Sequence, residues 1–418
     1  MGFGHAFKKE HFPLSDNQFV PVNHGSFGLS PQIVMDKFRA EVETDLASPD
    51  SFIRIQQPKE YLESIKIVAD FLNCPYRNLA LVTNATTAVN TVLRSIPFSK
   101  GDVVAIPSTT YGACANTVKF LAETIGIEIV VVNLALPMLH EAIVDAFRQT
   151  FDAQKVKLAL FDTVSSMPGA KMPYLELTRL CKEYNVLSMV DGAHSIGLIP
   201  LDFSDFSPDF YTSNLHKWLY VPRPCAVLYV DPKHHRTVQT NPVSHSYVSP
   251  NAVLSKEEEE NLLVSKFTFT GSISFASISC IKTALQFRND ICGGEEAIHD
   301  HCLGMARKVA DLVLRKWPGA SIIENEEKSL VTAMVTVYFP IENYSPSFDA
   351  SDPELMLLFV NKVSELQIEK HHTFVPFASH AGKVVARFSC QVYNELSDYE
   401  YACDAVHSAV KAFFALKL

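Results

Sequence analysis

The sequence predicts an α/β protein in which a mostly parallel sheet forms a large domain and a smaller α+β domain follows it. Two observations lead to this fold class. Between about residues 57 and 230, short runs rich in Val, Ile and Leu alternate with amphipathic stretches, and several runs are apolar throughout. Strands buried on both faces of a helix-covered parallel sheet have this character. From about Ala276 the alternation stops, which indicates a second unit.

The elements of the large domain follow in order along the chain. A helix is expected from Gln57 to Leu72, since Pro58 is favoured in a first helical turn. The predicted strands are Leu79 to Thr83, Val103 to Pro107, Ile127 to Val132, Lys157 to Phe161, Leu187 to Val190, Phe210 to Thr212 and Ala226 to Val230. The predicted helices between them are Thr110 to Thr124, His140 to Phe151 and Tyr174 to Tyr184.

The region after residue 275 predicts the smaller domain. Its expected elements are a helical tract from Ala276 to Trp317, a strand from Leu330 to Phe339, a helix from Pro353 to Leu366, a strand around Arg387 and a helix from Tyr399 to Leu416. The patterns divide the chain into an N-terminal segment that packs with the small domain (1–29), the large domain (30–275) and the small domain (276–418).

Composition excludes several classes of function. The 418 residues carry a formal net charge of −10 without a basic stripe, so nucleic acid is not an expected partner. The nine cysteines show neither CxxC nor zinc-type spacing, which indicates free thiols in a reducing compartment and no metal site. The N-terminal residues lack a signal-peptide core, and the apolar stretch Ile127 to Leu139 is too short to span a membrane. We therefore expect a cytoplasmic protein without membrane partners.

Polar residues gather where the predicted strands end. Asn84 to Thr87 follow the first strand, Ser108 to Tyr111 the second and Asp162 to Ser166 the fourth. Asp191 ends the fifth, and Asn214 to Lys217 follow the sixth. Because ligands of such sheets bind at the carboxyl ends of the strands, we expect the active site along this edge.

Lys217 and Asp191 indicate the chemistry of that site. An aspartate that ends one strand and a lysine in the turn after the next suit a Schiff base with pyridoxal phosphate (PLP) and a carboxylate paired with its pyridinium nitrogen. That carboxylate keeps the ring nitrogen protonated, so the ring can accept electrons released at a substrate α-carbon. A surface lysine and a helix-capping aspartate would explain either residue alone, but the combination favours PLP as cofactor.

The chain resembles the class V aminotransferase-type enzymes of PLP fold type I, in the branch that includes isopenicillin N epimerase and cysteine desulfurases. The matching tracts are Val22 to Gly28, Asn84 to Thr87, Val190 to His194, Ser213 to Trp218 and Arg387 to Ser389. They span nearly the whole chain. The resemblance implies the fold and the cofactor but not the reaction, because this fold hosts many chemistries.

The resemblance also implies roles for individual residues around the cofactor. Lys217 carries PLP and takes the α-proton, Asp191 pairs with the ring nitrogen, and Tyr111 stacks on the ring face. His194 touches the phenolic oxygen. Contacts to the phosphate are implied for Ala85, Thr86, Thr87, Asn214 and His216. The alternatives are an ordinary helix N-cap at residues 84–87 and a core tyrosine at position 111.

Further residues are implied to meet the substrate or a second subunit. Arg387 clamps the α-carboxylate of an amino-acid substrate, for which a surface salt bridge is the alternative. His24 lies at the mouth of the substrate cleft. Thr270 and Ser272 reach the phosphate of a partner subunit, which implies a homodimer with shared active sites.

Two reactions compete within this branch. One is C–S cleavage, as in the fungal hercynylcysteine sulfoxide lyase and the cysteine desulfurases. The other is the Mannich-type ring closure of loline-type alkaloid enzymes, in which an α-carbanion attacks an iminium carbon. The lyase pattern has a cysteine where this chain has Leu134, and Cys114 on a predicted helix is expected to pack in the core. The sequence therefore favours the carbon–carbon bond-forming cyclase, with the C–S lyase and an aminotransferase or epimerase as alternatives.

Overall fold

The computed structural model describes residues 2–14 and 18–415, and a seven-stranded sheet lies at its centre. The strands are β1 (Leu79–Val82), β2 (Val103–Pro107), β3 (Glu128–Val132), β4 (Val156–Asp162), β5 (Leu187–Asp191), β6 (Phe210–Asn214) and β7 (Ala226–Val230). Their spatial order is β1-β7-β6-β5-β4-β2-β3. Only β7 runs antiparallel to its neighbours, which confirms the predicted α/β fold with a mostly parallel sheet.

Amphipathic helices cover this sheet. In the helix Gln57–Leu72, Tyr61, Ile65, Val68 and Leu72 are buried at helical spacing, so one stripe faces the core. The other principal helices of this region are Gln32–Ala47, Ala85–Ser95, Gly112–Ile125, His140–Ala153, Tyr174–Glu183 and Leu262–Thr268. Short helices span His5–His11, His24–Phe27, Pro49–Ser51, Leu215–Trp218 and Lys256–Glu260. Among the helices of the described ranges, none has both the length and the hydropathy to cross a bilayer.

A second, antiparallel sheet forms the small domain. Its strands are β8 (Ser321–Ile322), β9 (Met334–Tyr338), β10 (Phe377–His380) and β11 (Lys383–Ser389), in the order β10-β11-β9-β8. The helices here are Ala276–Ser279, Ile281–Gln286, Glu295–Lys316, Pro353–His371 and Leu396–Ala415. The N-terminal segment joins this unit, since Asn23 forms a bridge with Ser389 at the end of β11. The boundaries at residues 29 and 275 stay predictions.

The helical tract predicted from Ala276 to Trp317 is not continuous. Gly293 and Gly294 adopt φ angles of +81° and +95°, a left-handed conformation that ends the preceding turn. The long helix starts only at Glu295. The pattern of apolar residues continues across this break, which is why the sequence predicted one helix.

The sheet brings the polar strand ends together. Asp162 at the end of β4 pairs with Asp191 at the end of β5, and Asp191 pairs with Thr212 of β6. Asn214 ends β6, and Asn84 follows β1. The predicted edge therefore exists and carries the groups described next.

Candidate active site

Lys217 stands in a one-turn helix, Leu215–Trp218, directly after β6. Its Nζ lies 3.0 Å from Nε2 of His194. Burial, followed by the charge of Arg387, lowers the pKa of Lys217 to about 8. The amine is thus uncharged far more often than that of a surface lysine, which is the state that attacks a carbonyl carbon.

His194 fixes the orientation of this amine. Nε1 of Trp218, which can only donate, lies 3.4 Å from Nδ1 of His194. Burial and the charges of Lys217 and Arg387 lower the pKa of His194, so the ring is neutral. A neutral ring that accepts at Nδ1 carries its hydrogen on Nε2. That hydrogen faces Lys217 Nζ and is available to an acceptor bound there, such as a phenolic oxygen.

Asp191 is a buried carboxyl group that accepts hydrogen bonds from two donors. Its side chain is 4% exposed. The backbone N–H of Ala193 donates to Oδ1 over 2.9 Å, and Sγ of Cys114 donates to Oδ2 over 3.3 Å. These two hydrogen bonds fix the orientation of the carboxyl group. Cys114 is buried as expected, but its contact with Asp191 was not predicted.

The N-terminus of the helix Ala85–Ser95 is the candidate anion site. The N–H of Ala85 donates to Asn214 Oδ1 over 2.9 Å, and that of Thr87 donates to Asn84 Oδ1 over 2.8 Å. Within residues 2–14 and 18–415, the Thr86 N–H and hydroxyl have no hydrogen-bond partner. The helix dipole and these free donors suit a phosphate. The N–H groups of Ala85 and Thr87 are thus already bonded to side chains, those of Asn214 and Asn84. Thr86 is the residue here with donors free to bind a phosphate.

His216 hydrogen-bonds Cys225. Its Nδ1 lies 2.8 Å from the carbonyl oxygen of Cys225, and burial lowers the pKa of the ring to about 4. The backbone N–H of Cys225 also lies 3.3 Å from this Nδ1, so Cys225 engages Nδ1 and Nε2 is left available to a ligand. A contact between His216 and the phosphate stays a prediction.

Arg387 is a buried cation on β11. Its side chain is 1% exposed; Nη1 donates to the Ser166 carbonyl at 2.8 Å, and Nη2 to Asn23 Oδ1 at 2.8 Å and Ser26 Oγ at 2.9 Å. No carboxylate of the described ranges lies within ion-pair distance, and Nε has no partner there. Burial lowers the pKa of Arg387 to about 10. The surface salt bridge considered as an alternative is therefore wrong, and an anionic ligand would complete the site.

His24 is buried, and it is among the residues that line an apolar cleft beside Asn23. It is 3% exposed, its Nε2 donates to the Lys217 carbonyl over 2.7 Å, and the Tyr393 hydroxyl donates to its Nδ1 over 2.9 Å. Burial lowers the pKa of this ring to about 3. Both ring nitrogens of His24 are therefore hydrogen-bonded within the protein. The bond to the Lys217 carbonyl stabilises the turn that carries Lys217, and no ring nitrogen is free to bind a substrate.

Tyr111, Thr270 and Ser272 are placed differently from the buried residues. Tyr111 is 50% exposed, so it is not a core tyrosine and its ring face is free to stack. Thr270 and Ser272 lie in the loop after the helix Leu262–Thr268 and make no hydrogen bond to the residues around Lys217. Their predicted contacts stay predictions.

The site fits PLP in three respects: a lysine with a lowered pKa, an oriented carboxylate and a helix N-terminus with free donors. The sequence model of the aminotransferase class-V family matches residues 29–401. The chain belongs to the class V aminotransferase family. It is a PLP-dependent enzyme, which confirms the predicted cofactor.

The chain is similar to several individual proteins of known name. The L-cysteine desulfhydrase-like protein lolT1 of Epichloe uncinata is 30% identical over 93% of this chain and 92% of its own length. The hercynylcysteine sulfoxide lyase of Schizosaccharomyces pombe is 30% identical over 97% of each chain. A mutant of C-DES with glycine covalently linked to its PLP cofactor superposes with a TM-score of 0.73, at 15% identity, over 96% of this chain and 98% of that one.

Arg387→Ala should raise KM for amino-acid substrates strongly. Removing one partner of a buried, hydrogen-bonded charge pair costs about 2–5 kcal/mol, and Arg387→Lys should recover little because it lacks the planar fork. Steady-state kinetics measure the effect. Arg148→Ala is the matched control, since that arginine lies at the surface beside Glu183. An unchanged KM in Arg387→Ala would remove Arg387 from the substrate site.

Proposed function

We propose that this enzyme is a PLP-dependent C–S lyase that acts on a cysteine-derived amino acid by β-elimination. Arg387 holds the α-carboxylate and Lys217 takes the α-proton. The Cβ–S bond then breaks, and the sulfur departs with the bonding electron pair. The released dehydroalanine hydrolyses to pyruvate and ammonia. PLP supplies the electron sink that stabilises the α-carbanion.

The similarity to the hercynylcysteine sulfoxide lyase supports C–S cleavage, and the observation that selects elimination is the setting of Cys114. It is 1% exposed and its thiol donates to Asp191, while burial raises the pKa of the thiol. A thiol that stays protonated and enclosed is a poor sulfur acceptor. Elimination needs no acceptor, because the sulfur leaves the site. This arrangement supports a lyase of the elimination type over persulfide transfer to the enzyme.

Leu134 does not support the cyclase as the sequence suggested. It is 4% exposed, packs in the hydrophobic core, and its N–H donates to Ser108 Oγ over 2.9 Å. A core leucine says nothing about the substrate, so the absence of a cysteine at this position no longer favours ring closure.

Mannich-type ring closure remains the second candidate because of one apolar cleft. A cleft of about 470 Å³ opens beside Asn23, which hydrogen-bonds Arg387, and its walls include Phe19, Phe27 and Phe374. Such walls suit a hydrocarbon or ring-forming substrate. The α-carbanion formed by the same Lys217 would then attack an iminium carbon instead of expelling sulfur.

A paired assay separates these reactions. One reaction contains a cysteine S-conjugate or its sulfoxide, and the other contains an amino acid with an aldehyde. The lyase releases pyruvate, ammonia and the sulfur fragment in equal amounts from the first and gives no carbon–carbon product in the second. A carbon–carbon product without pyruvate would instead establish the cyclase. Release of other keto acids or of a D-amino acid would identify an aminotransferase or epimerase.

The exposed loop at Thr270 and Ser272 supports a homodimer with shared active sites. Ile273 in this loop is 52% exposed and Tyr111 is 50% exposed, so apolar surface at both places is available for a second subunit. Mixing Lys217→Ala protomers with Thr270→Ala/Ser272→Ala protomers should restore part of the activity, since one site per dimer regains both elements. A fully active monomer in light scattering would contradict the dimer.

We also propose a cytoplasmic location. All nine cysteines are free thiols, and eight of them are buried. Free thiols suit a reducing compartment. Fractionation with an antibody against the native protein would test this location.

A further inference from the structure

Asp162 is a second carboxylate at the cofactor end of the site, and no individual role was predicted for it. It ends β4 and pairs with Asp191 at the end of β5. Paired residues of neighbouring parallel strands point to the same side of the sheet, so the two carboxyl groups are neighbours. They are 5% and 4% exposed. Two buried carboxylates side by side cannot both ionise without a large cost.

The hydrogen bonds assign the charge to one member of this pair. Asp191 accepts from the Ala193 N–H and the Cys114 thiol. Across the described ranges, the Asp162 carboxyl group makes no hydrogen bond and no ion pair. A carboxylate without donors is destabilised by burial, whereas one with two donors is stabilised.

We propose that Asp162 is a positioning residue that carries a proton and stays neutral beside an ionised Asp191. Asp191 is then the single negative charge directed at the cofactor nitrogen, and Asp162 fills the adjacent space without competing for that cation. A neutral Asp162 would serve the cofactor end of the site in the same way whichever bond the enzyme breaks.

The charges around Asp162 agree with this assignment. The titratable groups that face it are Asp191 from β5, Lys217 from the turn after β6 and Cys114 from the helix Gly112–Ile125. Burial, followed by the charge of Asp191, raises the pKa of Asp162 well above its usual range, and Lys217 opposes this only in part. Cys114 contributes no positive charge.

Infrared spectroscopy of the holoenzyme labelled with ¹³C-carboxyl aspartate tests the proposal. At neutral pH the wild type should show the C=O band of a protonated aspartic acid, shifted by the label and by D₂O. Asp162→Asn should lose this band, and Asp102→Asn, whose carboxylate pairs with Lys157, should keep it. In Asp191→Asn the band should disappear at a lower pH than in wild type, because the like charge is gone. A wild type with carboxylate bands only would overturn the proposal without any variant.

The absorbance of the bound cofactor gives a second readout. Asparagine has the shape of the neutral acid, so the pH profile of the absorbance of Asp162→Asn should match that of the wild type. If Asp162 were ionised, its removal would withdraw a negative charge and move that profile. A shifted profile would therefore contradict a neutral Asp162.

Discussion

Lys217→Ala should abolish turnover while the protein remains folded and still binds PLP weakly. The substitution removes the covalent anchor and the base for the α-proton together. A positioned base alone contributes about 10²–10⁴-fold to the rate, so the loss should be at least of that order. Single-turnover release of pyruvate measures the effect. Lys119→Ala is the control, because that lysine is exposed beside Glu123.

The same lysine predicts how attachment of PLP depends on pH. With a pKa of about 8, lowered by burial, the amine loses its proton as pH rises through that value. Covalent attachment to the cofactor-free enzyme should therefore accelerate up to about pH 8 and then level off. An ordinary lysine would continue to gain rate up to its usual pKa of about 10.4. Stopped-flow absorbance distinguishes the two profiles.

Asp191→Asn should lower kcat by about 10²–10³-fold, the range found when a preorganised electrostatic partner is removed. KM should change little, since Arg387 still holds the substrate. Exchange of the α-proton with solvent deuterium should slow in parallel with kcat, because the carbanion loses its protonated electron sink. Asp202→Asn is the control, as that carboxylate is exposed and bonds Asn73. Normal α-exchange in Asp191→Asn would contradict the role of Asp191.

Much of the fold could be predicted because its signals are local. Apolar runs gave the strands of the large sheet, and the polar residues after them gave the active-site edge. The antiparallel direction of β7 could not be predicted, because the residues Ala226–Val230 do not determine the direction of the neighbouring strands in the sheet. The break at Gly293 and Gly294 could have been found from the glycine pair itself.

The contacts that complete the site depend on residues far apart in sequence. Cys114 meets Asp191 across 77 positions, and Arg387 meets Asn23 across 364. The place of Asp162 in the site could have been predicted from the sequence, because Asp162 ends β4 as Asp191 ends β5. The contact of His24 with the Lys217 carbonyl could not have been predicted, because it depends on how the N-terminal segment packs. Residue type predicted the chemistry, and tertiary packing decided which groups are free to perform it.

Peptide mapping of the borohydride-reduced holoenzyme tests the central claim most directly. Reduction should fix one PLP group per chain, and mass spectrometry of the digest should find it on the peptide that contains Lys217. The mass should be absent from that peptide in Lys217→Ala. A PLP group on a different lysine, or no fixed PLP in an active preparation, would contradict the assignment of Lys217 as the cofactor-bearing residue.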